Sequence, residues 1–106
     1  MKAVVLEPGK APYIKDSAWS ISEIQNTVDG YVECLRIPGM AVALFDEEGI
    51  MKQKRPGHVV TDIHGNNRHI VGTAILLGAE AYASEFSDVP EEVIKRYGAV
   101  EQESGG

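Results

Sequence analysis

The sequence predicts an α+β fold: a mostly antiparallel sheet of four or five strands, with one helix after the first strand and a second, C-terminal helix. Two observations carry this prediction. Short apolar runs bounded by Pro-Gly or glycine-rich turns recur along the chain, as buried strands do. Two further stretches have apolar residues at helical spacing between start and stop signals. At 106 residues, the chain has the length of one domain.

The predicted strands are short and mostly apolar. They cover residues 3–6, 31–37, 40–45, 50–53 and 70–78. We expect the first strand to lie centrally, because it is apolar throughout, and the third to be buried on both faces. Gly72 predicts a bulge or a close backbone approach in the last strand. Residues 54–68 predict a loop with one turn of helix or a short strand inside.

The first helix has the clearest signals in the chain. Ser20 and Glu23 have the spacing of a capping box, and Trp19 stands just before the cap, where a hydrophobic staple would place it. These signals predict a helix over residues 21–29, with Gly30 as its left-handed C-terminal cap.

The second helix lies near the end of the chain. Asp88 and Glu91 on either side of Pro90 form a start signal for a helix from Glu91, and Gly98 is its stop signal. The apolar residues at helical spacing there predict a short amphipathic helix, and they are Val89, Val93, Ile94 and Tyr97. Residues 101–106 have nothing to bury and predict a disordered tail. The single domain is therefore expected over residues 1–100.

The predicted sheet needs cover on both faces. The first helix covers one of them. The other face, which carries Met40 and its apolar neighbours, needs the C-terminal helix, the long loop or a second copy of the protein. We therefore expect a homodimer.

The charge balance excludes several classes of partner. Sixteen acidic residues against ten basic ones give a net charge of −6, which opposes binding to nucleic-acid backbones and to anionic membrane surfaces. Mimicry of DNA by an acidic surface stays open.

The longest apolar run is about half of a membrane-spanning helix, and the first residues lack a signal-peptide pattern. With a single cysteine, the chain is expected to be cytoplasmic.

The basic residues are concentrated in one acid-poor segment. Between residues 52 and 68, lysines and arginines outnumber the one acid, Asp62. Cations, side-chain amides and exposed backbone N–H groups are what bind phosphate. The predicted ligand-binding residues, for a small anionic ligand such as a nucleotide, are Lys54, Arg55, His58, Asn66, Asn67 and Arg68. The alternative is a solvated loop whose lysines keep an edge strand soluble.

The remaining candidate residues predict no metal site. His58, His64 and His69 lie near Asp62, but their spacing matches no helical pair of zinc ligands. No metal and no cofactor are therefore expected. Cys34 has no visible base beside it and is expected to be a small core residue.

No catalytic residue is predicted either. The run Asp46-Glu47-Glu48-Gly49 predicts a tight turn with a positive φ at Gly49, whose carboxylates are solvated rather than paired for acid-base chemistry. Tyr13, in the loop before the first helix, stays open between packing and stacking on a planar ligand. The protein is expected not to be an enzyme.

Four segments carry a resemblance to a known family: MKAVVLEPGK at 1–10, VDGYVE at 28–33, DEEG at 46–49 and IVGTAI at 70–75. They resemble small proteins known only as a domain of unknown function, carried by phages, plasmids and some bacterial genomes. The resemblance spans residues 1–80 and implies a fold and a genomic setting, but no active site. The chain departs from it at Lys54-Arg55-Pro56-Gly57-His58, where asparagine and proline are usual, and the C-terminal helix resembles an extension.

Two functions follow as expectations. The first is a non-enzymatic accessory protein of a phage or mobile element, which binds the small anionic ligand and interferes with host defence. The second is an acidic protein-binding module that antagonises a host or phage protein through residues 80–103.

Overall fold

The computed structural model describes residues 1–80 and 85–101. These residues form an α+β fold, as predicted. Its elements are β1 (Lys2–Leu6), β2 (Tyr13–Asp16), α1 (Ile21–Val28), β3 (Val32–Ile37), β4 (Ala41–Asp46), β5 (Pro56–Thr61), β6 (Asn67–Val71), β7 (Ala74–Gly78), α2 (Glu91–Tyr97) and β8 (Val100–Glu101).

Six of the strands form one sheet in the order β3-β4-β7-β1-β2-β8, and β5 pairs with β6 in a separate hairpin. Within the sheet, neighbours run antiparallel except for β2 and β8. The first strand lies inside the sheet, between β7 and β2, which confirms its predicted central place. The strand β4 is buried along its whole length, as its apolar run predicts.

Both faces of the sheet are covered by the chain itself. On one face, Ile24 and Val28 of α1 pack with Trp19 against the sheet. On the other face, Val93 of α2 and Val60 of the hairpin lie in a second buried cluster. The uncovered face from which we expected a homodimer is therefore closed by α2 and the β5–β6 hairpin.

Local side-chain bonds begin α1 where the capping pattern predicts. The Ser20 hydroxyl accepts a hydrogen bond from the Glu23 N–H at 3.2 Å, and the Glu23 carboxylate accepts one from the Trp19 N–H at 2.7 Å. Trp19 is buried in the same cluster as Ile24, which confirms the staple. The left-handed residue at the helix end is Asp29, with φ of 57°, and not Gly30 as predicted. Aspartate is one of the few residues that tolerate this conformation.

Three predictions, two of strands and one of a loop, are wrong between residues 50 and 78. Residues 50–53 form a turn instead of a strand, because the Lys52 N–H bonds to the Glu48 carbonyl and the Gln53 N–H bonds to the Ile50 carbonyl. The predicted loop at 54–68 is mostly the β5–β6 hairpin. The predicted strand at 70–78 is split into β6 and β7, because Gly72 adopts a φ of +82° and ends one strand before the next begins.

Two further expectations differ from the structure. Cys34 is exposed and not part of the core, because it lies on the sheet's edge strand, which α1 covers only in part. The positive-φ glycines of the described residues do not include Gly49.

Of the predicted tail, Glu101 pairs with Ile14 in β8, and residues 102–106 lie outside the described residues. No helix in the described ranges has the length and apolar character needed to cross a membrane.

Candidate functional site

The six residues predicted to bind a ligand do not meet at one place. Arg55 and His58 lie at the base of the hairpin, beside the turn between β1 and β2. Asn66, Asn67 and Arg68 lie at the opposite end of the hairpin, where Arg68 faces Val60 across the strands. The two groups are roughly 15 Å apart along the strands, at about 3.3 Å per residue. The sixth residue, Lys54, points away from both groups toward the end of α1.

The first group forms a surface that we call the basic turn, made of Gly9, Lys10, Arg55 and His58. The guanidinium of Arg55 lies against Gly9, where a β-carbon would come within 2.8 Å of Nη2. Gly9 also has a φ of +76°, so glycine is required there both for the backbone and for the arginine. Arg55 and Lys10 are exposed to solvent.

His58 holds the basic turn in place. Its Nε2 lies 2.9 Å from the carbonyl oxygens of both Glu7 and Lys10. Since both neighbours are acceptors, the Nε2 N–H must be the donor. The imidazole therefore ties the hairpin to the β1–β2 turn through this nitrogen.

The acid next to the basic turn is already engaged. The Glu7 carboxylate accepts a hydrogen bond from the Tyr13 hydroxyl at 2.6 Å and lies 3.4 Å from the Lys10 ammonium. Burial and this hydrogen bond raise the pKa of Tyr13 above its usual range. The Tyr13 side chain, whose role the sequence left open, thus pairs with Glu7. Because the Glu7 carboxylate already contacts Tyr13 and Lys10, it does not balance the charge of Arg55.

The second group is organised around a buried carboxylate. Asp62 accepts hydrogen bonds from the N–H groups of His64 and Asn66, both at 2.9 Å. The Asn66 hydrogen bond, followed by that of His64, lowers the pKa of Asp62. The Asn67 side chain accepts a bond from the Thr61 hydroxyl, and Arg68 Nη1 lies 3.9 Å from the Asp62 carboxylate. These polar groups shape the hairpin tip.

A buried ionic cluster, which the sequence did not predict, joins α1 to the end of β4. Asp46 was expected to be solvated, but its side chain is 1% exposed and lies 2.7 Å from the ammonium of Lys54 and 3.0 Å from that of Lys52. Burial by itself would raise the pKa of Asp46, but hydrogen bonds from Lys54, the Glu48 N–H and Lys52 outweigh it and lower this pKa to about 2. The turn at residues 46–49 is thus anchored inside the protein.

Lys54 also closes the C-terminal end of α1. Its ammonium donates to the carbonyl oxygens of Val28 and Asp29, each at 2.7 Å. A cation at this end of a helix is stabilised by the helix dipole and satisfies carbonyls that lack a partner within the helix. The signal in the sequence is a carboxylate at the end of an apolar run, followed by two lysines in the next turn.

An apolar groove of about 330 Å³ opens beside this cluster, between α1 and the ends of β3 and β4. We call it the α1 groove, and its lining residues are Ile21, Ile24, Gln25, Tyr31, Val32, Leu44, Glu47 and Phe86. Ile21 is 74% exposed and Tyr31 68% exposed. Large apolar side chains that share an exposed concave surface are typical of a contact site.

A second opening, of about 230 Å³, lies on the other side of Glu47, and we call it the hairpin cleft. Glu33 and Glu47 line it from the sheet, and Arg68 and His69 line it from β6. Glu47 therefore lines both the α1 groove and the hairpin cleft.

The described residues show no group of three histidine, cysteine or acidic side chains close enough to hold a metal ion. Partial burial raises the pKa of Cys34, against a smaller opposite effect of Arg36. A raised pKa disfavours the thiolate, which is the nucleophilic form.

The fold and its surfaces define a small α+β protein with an exposed basic turn and an apolar groove. The chain belongs to a family described as a domain of unknown function (DUF3846), whose family model matches residues 1–101. The match includes α2, so this helix is part of the family's domain and not an extension of it. Comparisons with curated proteins and with solved structures found no match.

Proposed function

We propose that this protein is a non-enzymatic accessory protein of a phage or mobile element, which binds a small phosphate-bearing ligand at the basic turn. Its ligand is an anion of the size of a nucleotide. The observation that supports this most directly is the exposed Arg55 guanidinium, which lies against Gly9, the residue before Lys10.

The chemistry of the basic turn fits a phosphate group. A guanidinium presents paired N–H donors that match two phosphate oxygens, and a nearby ammonium adds a third contact. The contact of the Arg55 guanidinium with Gly9 would reduce the side-chain entropy lost on binding. His58 fixes the hairpin that carries Arg55 against the β1–β2 turn.

The charge of the rest of the chain favours a small anion over a polymeric one. The protein carries a net charge of −6, so a long nucleic acid would meet repulsion outside the basic turn. A mononucleotide or a cyclic nucleotide would contact the basic turn alone. Binding of such a signal in the host cytoplasm would lower its free concentration and so interfere with host defence.

A thermal-shift screen against inorganic phosphate and mono-, di- and cyclic nucleotides tests this function. A ligand at a hundred times its Kd stabilises the fold by about 2.7 kcal/mol, a shift of several degrees for a domain of this size. We expect Arg55→Ala to weaken binding by about tenfold to a hundredfold.

Arg68→Ala is the matched control, because it removes the same charge at the far end of the hairpin. It should leave the affinity of the basic turn unchanged. The proposal is wrong if neither phosphate nor any nucleotide raises the wild-type midpoint, or if Arg68→Ala weakens binding as much as Arg55→Ala.

A second candidate function is an acidic protein-binding module that antagonises a host or phage protein. The supporting observation is a cavity of about 520 Å³ between α2 and the β2–β8 edge, lined by Asp88, Glu91 and Glu101 together with Lys2, whose ammonium lies 3.5 Å from the Glu101 carboxylate. Amide NMR with a lysine- and leucine-containing peptide tests it. This function predicts shifts centred on Glu91 and Glu101, and shifts confined to other regions would contradict it.

A further inference from the structure

The outer edge of β3 has main-chain groups that point away from the sheet. The Glu47 N–H donates to the Tyr31 carbonyl at 3.0 Å, so residue 31 and every second residue after it face β4. The N–H and C=O groups of Val32, Cys34 and Arg36 therefore face outward. Among the described residues, the main-chain bond that reaches this edge is from the Ile63 N–H to the Arg36 carbonyl, at 3.1 Å.

The α1 groove lies directly beside this edge. Val32 belongs to β3, lines the groove and packs against the cluster under α1. Because residues opposite each other in a β ladder share a face, a strand added along β3 would place alternate side chains on the α1 side. Tyr31 and Phe86 would flank those side chains, and aromatic residues contribute strongly at such contacts.

The intervening side chains of an added strand would reach the hairpin cleft. Leu35 packs on the cluster under the hairpin, and Glu33, two residues before it, lies on the same face of β3. Glu33 and Glu47 both line the cleft on the sheet side. Arg68 lines the opposite wall from β6, where its Nη1 lies 3.9 Å from the Asp62 carboxylate. The two carboxylates on the sheet side therefore favour a cationic side chain on an added strand.

We propose that the outer edge of β3 binds an extended segment of a partner protein, in which apolar side chains alternate with arginine or lysine. The segment adds a strand to the sheet beside Val32 and Cys34. Its apolar side chains enter the α1 groove, and its basic side chains contact Glu33 and Glu47. Main-chain hydrogen bonds supply affinity in this mode of recognition, and the alternate pockets supply specificity.

A basic partner fits this edge better than a second copy of the chain. Two copies would each bring a net charge of −6. An antiparallel pairing centred on Cys34 would also place Val32 opposite Arg36, whose carbonyl already accepts the Ile63 N–H. A basic segment is attracted by the negative charge, and it can pair beside Val32 and Cys34 without reaching the Arg36 carbonyl.

A panel of short acetylated peptides tests the proposal by fluorescence anisotropy. The first peptide alternates arginine with valine and phenylalanine. A second has the same composition with its arginines grouped together, so that net charge is kept and alternation is lost. We expect the grouped peptide to bind about tenfold more weakly. Two further peptides are the alternating peptide with N-methyl groups on either its odd or its even residues. Only one of these two registers of N–H groups faces β3, so methylation should abolish binding in that register and leave binding intact in the other.

Variants of the protein test the same edge from its own side. Cys34→Pro removes an outward N–H without touching the ladder to β4, and it should weaken binding of the alternating peptide by about tenfold. Cys34→Ser is the matched control and should bind like wild type. Tyr31→Ala should weaken binding through the α1 groove. Arg55→Ala should leave peptide binding unchanged, which separates this surface from the basic turn.

Each contrary result overturns the proposal. Equal affinity for the alternating and grouped peptides, or no binding of either, excludes strand addition of a basic partner. Equal loss from N-methylation in both registers excludes it as well, and this holds even if Cys34→Pro does not fold. A dimer in light scattering that Cys34→Pro converts to monomer would assign the edge to a second copy of the chain.

Discussion

The carboxylate of Asp46 occupies the space that a β-carbon on residue 30 would need, and Gly30 is the residue that leaves this space open. Gly30 connects α1 to β3. Its missing side chain lets the end of the helix approach the ionic cluster of Asp46, Lys52 and Lys54. The glycine therefore has a steric role here, while Asp29 takes the left-handed conformation.

Gly30→Ala should destabilise the protein by about 1 to 3 kcal/mol, because the new methyl group overlaps the Asp46 carboxylate. Urea unfolding measures the loss. Ser22→Ala, at an exposed position of α1, is the control and should stay within about 0.5 kcal/mol of wild type. In an Asp46→Ala background, the penalty of Gly30→Ala should shrink, since the overlapping group is gone. An undiminished penalty would place the strain elsewhere.

Lys54→Met should cost far more stability than Lys52→Met. The Lys54 side chain is 15% exposed and bonds to Asp46 and two helix carbonyls, whereas that of Lys52 is 39% exposed. Loss of a buried partner costs about 3 to 5 kcal/mol, and loss of a half-exposed one about 1 kcal/mol or less. Chemical denaturation of both variants measures the difference, and equal losses would contradict the assigned roles.

Asp46 should make the protein sensitive to acid. Its folded pKa is about 2, below its value of about 3.9 in the unfolded chain. The unfolded state therefore binds more protons between these values, and stability falls as the pH drops from about 4 to 2. Urea midpoints over this range should show a shallower decline for Asp46→Asn than for wild type. Identical slopes would show that other carboxylates cause the acid loss.

Val60→Ala should show that the hairpin is part of the core. Val60 is fully buried under the sheet, while its neighbour Val59 is 43% exposed. Removing two buried carbons should cost about 1.5 to 3 kcal/mol in the free energy of unfolding. Val59→Ala removes the same atoms from an exposed site and should cost about 0.5 kcal/mol or less. Similar values for both would mean that the hairpin does not pack as described.

Local patterns in the sequence predicted the local elements well. The Ser20 and Glu23 pair set the start of α1, because both capping bonds form within a few residues. The apolar run of β4 and the turn before it predicted the hairpin with β3. Such features depend on neighbours along the chain, and sequence spacing reports them directly.

Features that depend on distant contacts were not predictable in the same way. Lys54 has the sequence pattern of a surface cation in a loop, but its ammonium is held in the interior by Asp46 and by the carbonyl oxygens at the end of α1. Cys34 has the pattern of a core residue, yet its strand lies at the edge of the sheet. The separation of Arg55 from Arg68 follows from the β5–β6 hairpin, which the glycines and polar residues of that segment concealed.

The central position of β1 has a consequence for synthesis on the ribosome. Val5 pairs with Ile75, which lies 70 residues later in the chain. The three antiparallel pairs of consecutive strands, β1–β2, β3–β4 and β5–β6, and α1 can form as soon as they emerge, since their contacts are local. The middle of the sheet cannot close until β7 has left the exit tunnel. Until then the apolar β1 has no partner on that side, so the nascent chain exposes this segment while the residues between Val5 and Ile75 are translated.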